Sequence, residues 1–309
     1  MNKTDVRIVF MGTPEFAVAS LSALVDAGYN IVGVVTAPDK PSGRGMKLNE
    51  SAVKKYAVEK GLHILQPPKL KAPEFIEALQ QLNAHLQIVV AFRMLPEVVW
   101  DMPPIGTINV HGSLLPQYRG AAPINRAVIN GEKETGVTTF KLRHEIDTGN
   151  ILLQEKIPIG ENETAGEVHD KMKEIGAQLL VKTVDGLVNE TIAEKEQPQF
   201  SAELRHAPKI FTDTCKIDWN KSADEIYNLI RGLAPYPAAF TILNDKTLKI
   251  FSAKKLKQAV TAPPGAYATD GKTWLRFACN NGWIEVQDIQ LEGKKRMNIG
   301  DFLRGYRFE

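Results

Sequence analysis

A strand that ends in Asn-Val-His and is then broken by Gly112 and Pro116 constrains this chain more than any other stretch. Residues 106–110, Gly-Thr-Ile-Asn-Val, are β-branched and half apolar, the composition of a short strand packed on a core. Strand side chains alternate between faces with period two, so Asn109 and His111 point the same way. An amide that can donate two hydrogen bonds and an imidazole that titrates near neutrality then converge on one spot. The two breakers put that spot at the strand's carboxyl end, where open α/β sheets bind their ligands. One stretch therefore predicts both an α/β fold and an active-site address.

The preceding hundred residues supply the rest of such a sheet. A buried run over 6–11, an amphipathic helix over 15–27 closed by Gly28 and a second run over 31–36 make a βαβ start. This predicts a Rossmann-like, mostly parallel sheet flanked by helices. The intervening turn, Gly12-Thr-Pro-Glu-Phe-Ala17, has proline and alanine where a dinucleotide fingerprint needs its second and third glycines, which excludes a nicotinamide or flavin site there. Ser51 suits the N-cap of a helix to residue 60, and 62–65 a third strand; Pro73 opens a helix to 82 and 86–91 forms a fourth strand. Phe92, Arg93, Met94 and Leu95 follow at that strand's carboxyl end and fit the crevice shared with His111, although Met94 and Leu95 fit plain core equally well. A helix over 121–130, strands over 135–142 and 150–159 and a long amphipathic helix over 164–188 complete a domain spanning 1–188.

The connection over 37–48 is longer than the two to six residues usual between strand and helix, and such loops are commonly functional or disordered. Two prolines and two glycines mark it as mobile surface. Lys40, Arg44 and Lys47 against the single acid Asp39 suit an arm for phosphate or a nucleic-acid backbone, and a solvated flexible loop accounts for them as well.

Polar, aperiodic residues over 189–209 read as a linker, and 210–309 as a second domain. Five short alternating runs, at 240–243, 248–253, 265–269, 274–278 and 283–291, are separated by turn dipeptides and predict a small OB-like β-barrel. Formal charge is −3 over 1–205 and +5 over 206–309, which permits a polyanionic partner without requiring one. Aromatics in this region suit base stacking or the barrel's own core, and composition alone favours the core. The 309-residue chain has no apolar run near the roughly 20 residues that span a bilayer, and its start passes straight into a strand. A cytoplasmic protein with no membrane partner and no stable protein partner is expected. Cys215 and Cys279 lie far apart without Cys-x-x-Cys spacing, so neither a disulfide framework nor a zinc knuckle is expected, and no metal site.

Asn109, His111 and one carboxylate suit acyl transfer without a covalent intermediate. As an amine attacks a formyl carbonyl, charge collects on oxygen, where a preorganised amide and an imidazolium stabilise it. A carboxylate then orients the imidazole and takes the proton lost by the amine. Asp147, in an Asp-Thr-Gly turn, is the candidate. Ser113 is not set in Gly-x-Ser-x-Gly, so a nucleophile elbow is not supported. One His and one Asp also lack neighbouring ligands at metal-site spacing.

Asn109-x-His111-x-Ser113-Leu-Leu-Pro116, then Arg119-Gly-Ala-Ala-Pro-Ile124 and Asp147-Thr-Gly149, resembles the folate-dependent formyltransferase family. The likeness extends over nearly the whole chain, through 10–17, 38–45, Gln66-Pro67, Ala207-Pro-Lys-Ile210 and Ile217-Asp-Trp219. It implies 10-formyltetrahydrofolate as a formyl donor consumed in the reaction, with no prosthetic group. Asn109, His111 and Asp147 would be catalytic, and Ser113, Leu114, Leu115, Pro116, Arg93, Met94 and Leu95 would line the folate site. The arginine-bearing loop resembles the insertion of those members that formylate methionine on initiator tRNA, which maps tRNA contact onto Lys40, Arg44 and Lys47 and a share of the grip onto the C-terminal barrel. Two places depart from the family pattern: Ala91-Phe-Arg-Met-Leu-Pro96 stands where relatives have Ala-Tyr-Gly and a longer apolar run, and His144-Glu-Ile precedes Asp147 where they have a glycine and an apolar residue.

Overall fold

The structure, a computed structural model, describes residues 2–42, 47–198 and 204–308. They form two compact units, one of residues 1–120, 136–157 and 169–206 and one of 121–135, 158–168 and 207–309. The second unit therefore gathers two short segments from the middle of the chain as well as its C-terminal third.

The first unit is built on a seven-stranded sheet in the spatial order Ile151–Pro158, Glu134–Lys141, Gly106–His111, Leu86–Val90, Arg7–Gly12, Asn30–Val35 and Ile64–Leu65. The last five run parallel, and Glu134–Lys141 is antiparallel to Gly106–His111. Parallel strands sheltered on both faces are continuously apolar, and all five residues of Leu86–Val90 are buried, as are five of the six in Arg7–Gly12. Val9, Met11 and Val89 share a core cluster with Phe75 and Leu79 of the helix Pro73–Gln81. Ser51 caps the helix Ala52–Glu59, its Oγ accepting from the backbone N–H of Lys54 at 2.9 Å. The parallel strands end on one edge, and His111 is the last residue of its strand there.

Two segments of this unit are more ordered than their composition suggests. Within the loop after Asn30–Val35, Lys40–Ser42 pairs antiparallel with Lys47–Asn49. Its base is tied down by an ion pair between Lys54 and Asp39 and by Gln66, whose Nε2 donates to the Ala37 carbonyl at 2.9 Å and the Asp39 carboxylate at 2.8 Å. The polar stretch after the helix Ala165–Val188 runs back along the sheet edge: Lys195 exchanges both backbone hydrogen bonds with Ile151, at 2.7 and 2.9 Å.

The second unit has an antiparallel sheet in the order Ala239–Leu243, Lys246–Leu256, Gly282–Leu291, Leu275–Cys279 and Tyr267–Thr269, with Met297–Asn298 added on Gly282–Leu291. All five predicted runs are strands. Asn244 and Asp245 both have positive φ, 46° and 60°, as a two-residue hairpin turn with matching twist requires. Register shifts at Ile250, Ser252 and Ala253 bend the long strand. The helix Ala223–Leu233, held by a capping box between Ser222 and Glu225, lays Ile226, Ile230 and Leu233 in one core with Leu248, Ile250, Phe277 and Ile284. Trp219 stacks on Phe277 at 4.9 Å between centroids, so these aromatics fill the core; Phe211 and Tyr236 are exposed. The fold class expected from the sequence, a Rossmann-like, mostly parallel sheet flanked by helices followed by a small OB-like β-barrel domain, is the one observed, the second as a curled antiparallel half-barrel sheet.

Candidate active site

Strand alternation holds at Asn109 and His111. Val110 is buried on one face, while Asn109 and His111 share the other, Asn109 half-buried and His111 buried. No described residue bonds the Asn109 side-chain amide, which leaves its N–H groups free for a ligand. His111 is held at one ring nitrogen and faced by a carboxylate at the other. Its Nε2 lies 2.9 Å from the Tyr118 carbonyl oxygen, which can only accept, so Nε2 carries the proton there. Its Nδ1 faces Asp147 Oδ2 at 3.8 Å, beyond hydrogen-bonding reach. Phe140 closes the ring's side, edge-on at 6.4 Å.

Asp147 reaches this position through an unusual backbone. Its φ is +56°, a left-handed conformation that costs a non-glycine residue about 1 kcal/mol or more and persists only where surroundings fix it. Its Oδ2 accepts from the Gly120 N–H at 2.9 Å. Two residues on, Gly149 presses against the strand before it: a Cβ there would lie 1.6 Å from the Lys141 carbonyl oxygen. Only glycine fits this approach. His144, just before the turn, is exposed and sits 3.6 Å from Glu97, a surface residue away from the pair.

The loop after His111 is fastened from within. Ser113 Oγ donates to the Gln117 carbonyl at 2.6 Å, and Thr138 Oγ1 donates to the Ser113 carbonyl at 2.7 Å while accepting from the Leu115 N–H at 3.1 Å. Gln154 Nε2 donates to the Leu115 carbonyl at 3.0 Å. Ser113, Leu115 and Pro116 are buried, Leu115 in a cluster with Phe140 and Ile151; only Leu114 of the four is half-exposed. Their hydrogen bonds and burial make them the frame of the loop. At the end of Leu86–Val90, Arg93 donates to the carbonyls of Pro67 at 2.7 Å and Pro68 at 3.1 Å, and burial pushes its guanidinium pKa down. Met94 beside it is 74% exposed, whereas Leu95 belongs to the core. The structure thus brings Asn109, His111 and Asp147 to one edge and sets Met94 in solvent at the neighbouring strand end. Lys40 is exposed on the paired hairpin, where Lys47 pairs with Ser42; Arg44 lies outside the described residues.

Residues that sequence reasoning missed supply the frame: the Tyr118 carbonyl, the Gly120 N–H and Gln197, which bonds the carbonyls of Asp147 and Gly149. The first two are backbone groups without a residue-type signal, and Gln197 sits in an aperiodic polar run. Among the described residues no cluster of three or more His, Cys, Asp or Glu could hold a metal ion, and no helix is long and apolar enough to cross a membrane.

Residues 6–184 match the formyl transferase family, and residues 209–307 match the formyl transferase C-terminal domain. The chain is 53% identical over 313 residues to the methionyl-tRNA formyltransferase of Bacteroides fragilis, covering 99% of this chain and 97% of that one. It is 56% identical over 318 residues to that of Phocaeicola vulgatus, covering 99% and 98%. Among solved structures it is similar to the N-formyltransferase of Helicobacter canadensis in complex with folinic acid and dTDP-3-aminofucose, with a TM-score of 0.67, 20% identity and coverage of 91% of this chain and 98% of that one. It is also similar to HypX of Aquifex aeolicus in complex with tetrahydrofolic acid, with a TM-score of 0.65, 17% identity and coverage of 97% and 48%. At such identities these two likenesses speak for the fold. With both regions matched in order and relatives more than half identical along nearly its whole length, the chain belongs to the formyl transferase family.

Proposed function

We propose that this protein transfers the formyl group of 10-formyltetrahydrofolate to the α-amino group of methionine esterified to initiator tRNA, in the cytoplasm, for translation initiation. The observation that carries the chemistry is the buried His111 facing Asp147 across 3.8 Å at the strand end, with the unpartnered Asn109 amide on the same face. The choice of acceptor is supported by the whole-length likeness to relatives that bear that name.

The neutral amine attacks the formyl carbon, a C–N bond forms, and the carbonyl oxygen becomes an oxyanion. Asn109 donates an amide N–H to it, and His111, with Nε2–H fixed on the Tyr118 carbonyl, offers Nδ1–H when protonated. Asp147 holds the imidazolium charge and receives, directly or through one water in the gap, the proton that the attacking nitrogen sheds. The tetrahedral species collapses, the bond to folate N10 breaks, and N10 takes up a proton. Formylmethionyl-tRNA and tetrahydrofolate leave. No formyl-enzyme forms.

Folate binds between the segments 91–95 and 112–117. Because Ser113, Leu115 and Pro116 are buried, they shape this crevice through the backbone, while Met94 and Leu114 offer apolar surface and Arg93 fixes the Pro67-Pro68 wall. Lys40, Arg44 and Lys47 meet tRNA phosphates, joined by the basic stretch 206–309. The test offers labelled 10-formyltetrahydrofolate with methionyl-tRNA, a ribonucleotide amine or an amino sugar. Label on methionyl-tRNA alone is expected. Preference for a small amine overturns the acceptor, and binding of donor and tRNA without turnover overturns the enzyme.

A further inference from the structure

We propose that Gln197, in the polar stretch after the long helix, is a positioning residue that holds Asp147 in its catalytic orientation; this rests on the formyl-transfer reading above. The Gln197 side chain is saturated in one way only. Its Oε1 accepts from Arg119 Nε at 3.2 Å and Nη2 at 2.5 Å, and its Nε2 donates to the Asp147 carbonyl at 2.8 Å and the Gly149 carbonyl at 2.9 Å. Arginine only donates and carbonyls only accept, so no other orientation of the amide, and neither a carboxylate nor an amine, serves both ends.

The two carbonyls bracket the turn whose first residue has the left-handed φ of +56°. Pinning both to one amide fixes the 147–148 and 149–150 peptide planes, and with the first of them the direction in which the Asp147 side chain leaves the backbone. The Gly120 N–H donates to the Asp147 Oδ2, and Gly120 follows Arg119 in sequence. Gln197 and Arg119 thus tie the Asp147 turn to the loop that ends the His111 strand. Gln197 itself is kept in place by the strap before it. Lys195 pairs with the Ile151 backbone, and Glu194 bonds Lys141 at 2.6 Å and Asn150 Nδ2 at 3.0 Å. Hydrogen bonds from Lys141 and then Asn150 hold the Glu194 carboxyl below the usual range, so the strap stays fastened at neutral pH.

The test measures single-turnover label transfer from 10-formyltetrahydrofolate to methionyl-tRNA by the parent chain, Gln197→Met and Gln197→Glu, each also carrying Asp147→Asn. Methionine keeps the length and volume of glutamine without its polar atoms. Gln197→Met is expected to slow transfer by about tenfold to a hundredfold, the scale of a small misplacement of a reacting group, with KM for both substrates within about twofold. Gln197→Glu should lose at least as much, because it sets a carboxylate against two carbonyls. In the Asp147→Asn background the Gln197→Met loss should shrink to about twofold or less, since both changes disable one unit. An unaltered rate in Gln197→Met, a loss carried by KM or by a lowered melting temperature, or a loss undiminished in the Asp147→Asn background overturns the proposal. An inactive parent overturns the formyl-transfer reading beneath it, and is told apart by being seen before any substitution is made.

Discussion

Two loops leave the carboxyl edge of the same sheet and are held in opposite ways. The one after His111 is buried and cross-bonded through Ser113, Thr138 and Gln154, and it delivers an imidazole with both nitrogens faced. The one after Asn30–Val35 is a basic hairpin in which Lys40, Pro41, Leu48 and Asn49 are exposed and whose only described side-chain anchorage is at its base, through Asp39, Lys54 and Gln66. Catalysis rewards the first arrangement, because an oxyanion donor must wait in place as charge develops. Gripping a large polyanion rewards the second, in which reach and charge matter more than a fixed geometry.

Substitutions should separate the Asp147 turn that faces His111 from the exposed hairpin. Gly149→Ala forces a methyl onto the Lys141 carbonyl oxygen, which belongs to the sheet, so it should cost at least about 3 kcal/mol in denaturant unfolding and abolish transfer. An exposed change on the hairpin, Lys40→Ala, should stay within about 0.5 kcal/mol. Equal costs at the two places would erase the contrast. Lys54→Met frees the base of the hairpin, since Lys54 bridges Asp39 and Glu50. It should raise KM for methionyl-tRNA by no more than about fivefold while leaving KM for the folate donor unchanged, the scale of a solvent-screened ion pair.

The smallest effect expected is that of pH on this anchor. The Lys54 ammonium, then Gln66, hold the Asp39 carboxyl below the usual aspartate range. A lowered folded-state pKa contributes stability above the unfolded value and loses it as pH falls through the folded one. Protection of the hairpin amides in hydrogen exchange, corrected for intrinsic rates, should therefore be flat from about pH 5 to pH 8 and fall only below about pH 4. A decline already at pH 6 would mean that another group fastens the hairpin.

What the sequence disclosed follows the range of the interactions concerned. The common face of Asn109 and His111 is a local consequence of period two, and the breakers after it located the strand end. The parallel sheet followed from alternating strand and helix patterns, and Ser51 and Pro73 marked helix starts as their local chemistry requires. Asp147 was visible as a residue type in a turn, but its approach to His111 depends on the reversal of Glu134–Lys141 against Gly106–His111 and on a left-handed φ, neither of which has a local signature. The hairpin was hidden because proline and glycine dominate its composition, while its anchor joins Asp39 to residues 15 and 27 positions away. Gln197 was hidden for the same reason: its partners stand 48 to 78 positions upstream, so its run shows no period and resembles a tether. The helix Ile299–Gly305 escaped notice because it is short, although Asn298 caps it by accepting from the Asp301 N–H at 2.9 Å.

The central claim is that an amide and an imidazole on one strand face stabilise the oxyanion of a direct transfer. It is tested most directly by the single-turnover rate of label transfer to methionyl-tRNA in Asn109→Ala and His111→Ala, with donor affinity measured beside it. Each substitution should slow transfer at least about a hundredfold while the donor still binds, with no acid-stable formyl-enzyme at any time. A rate close to that of the parent chain, or a formyl group trapped on the protein, would contradict it.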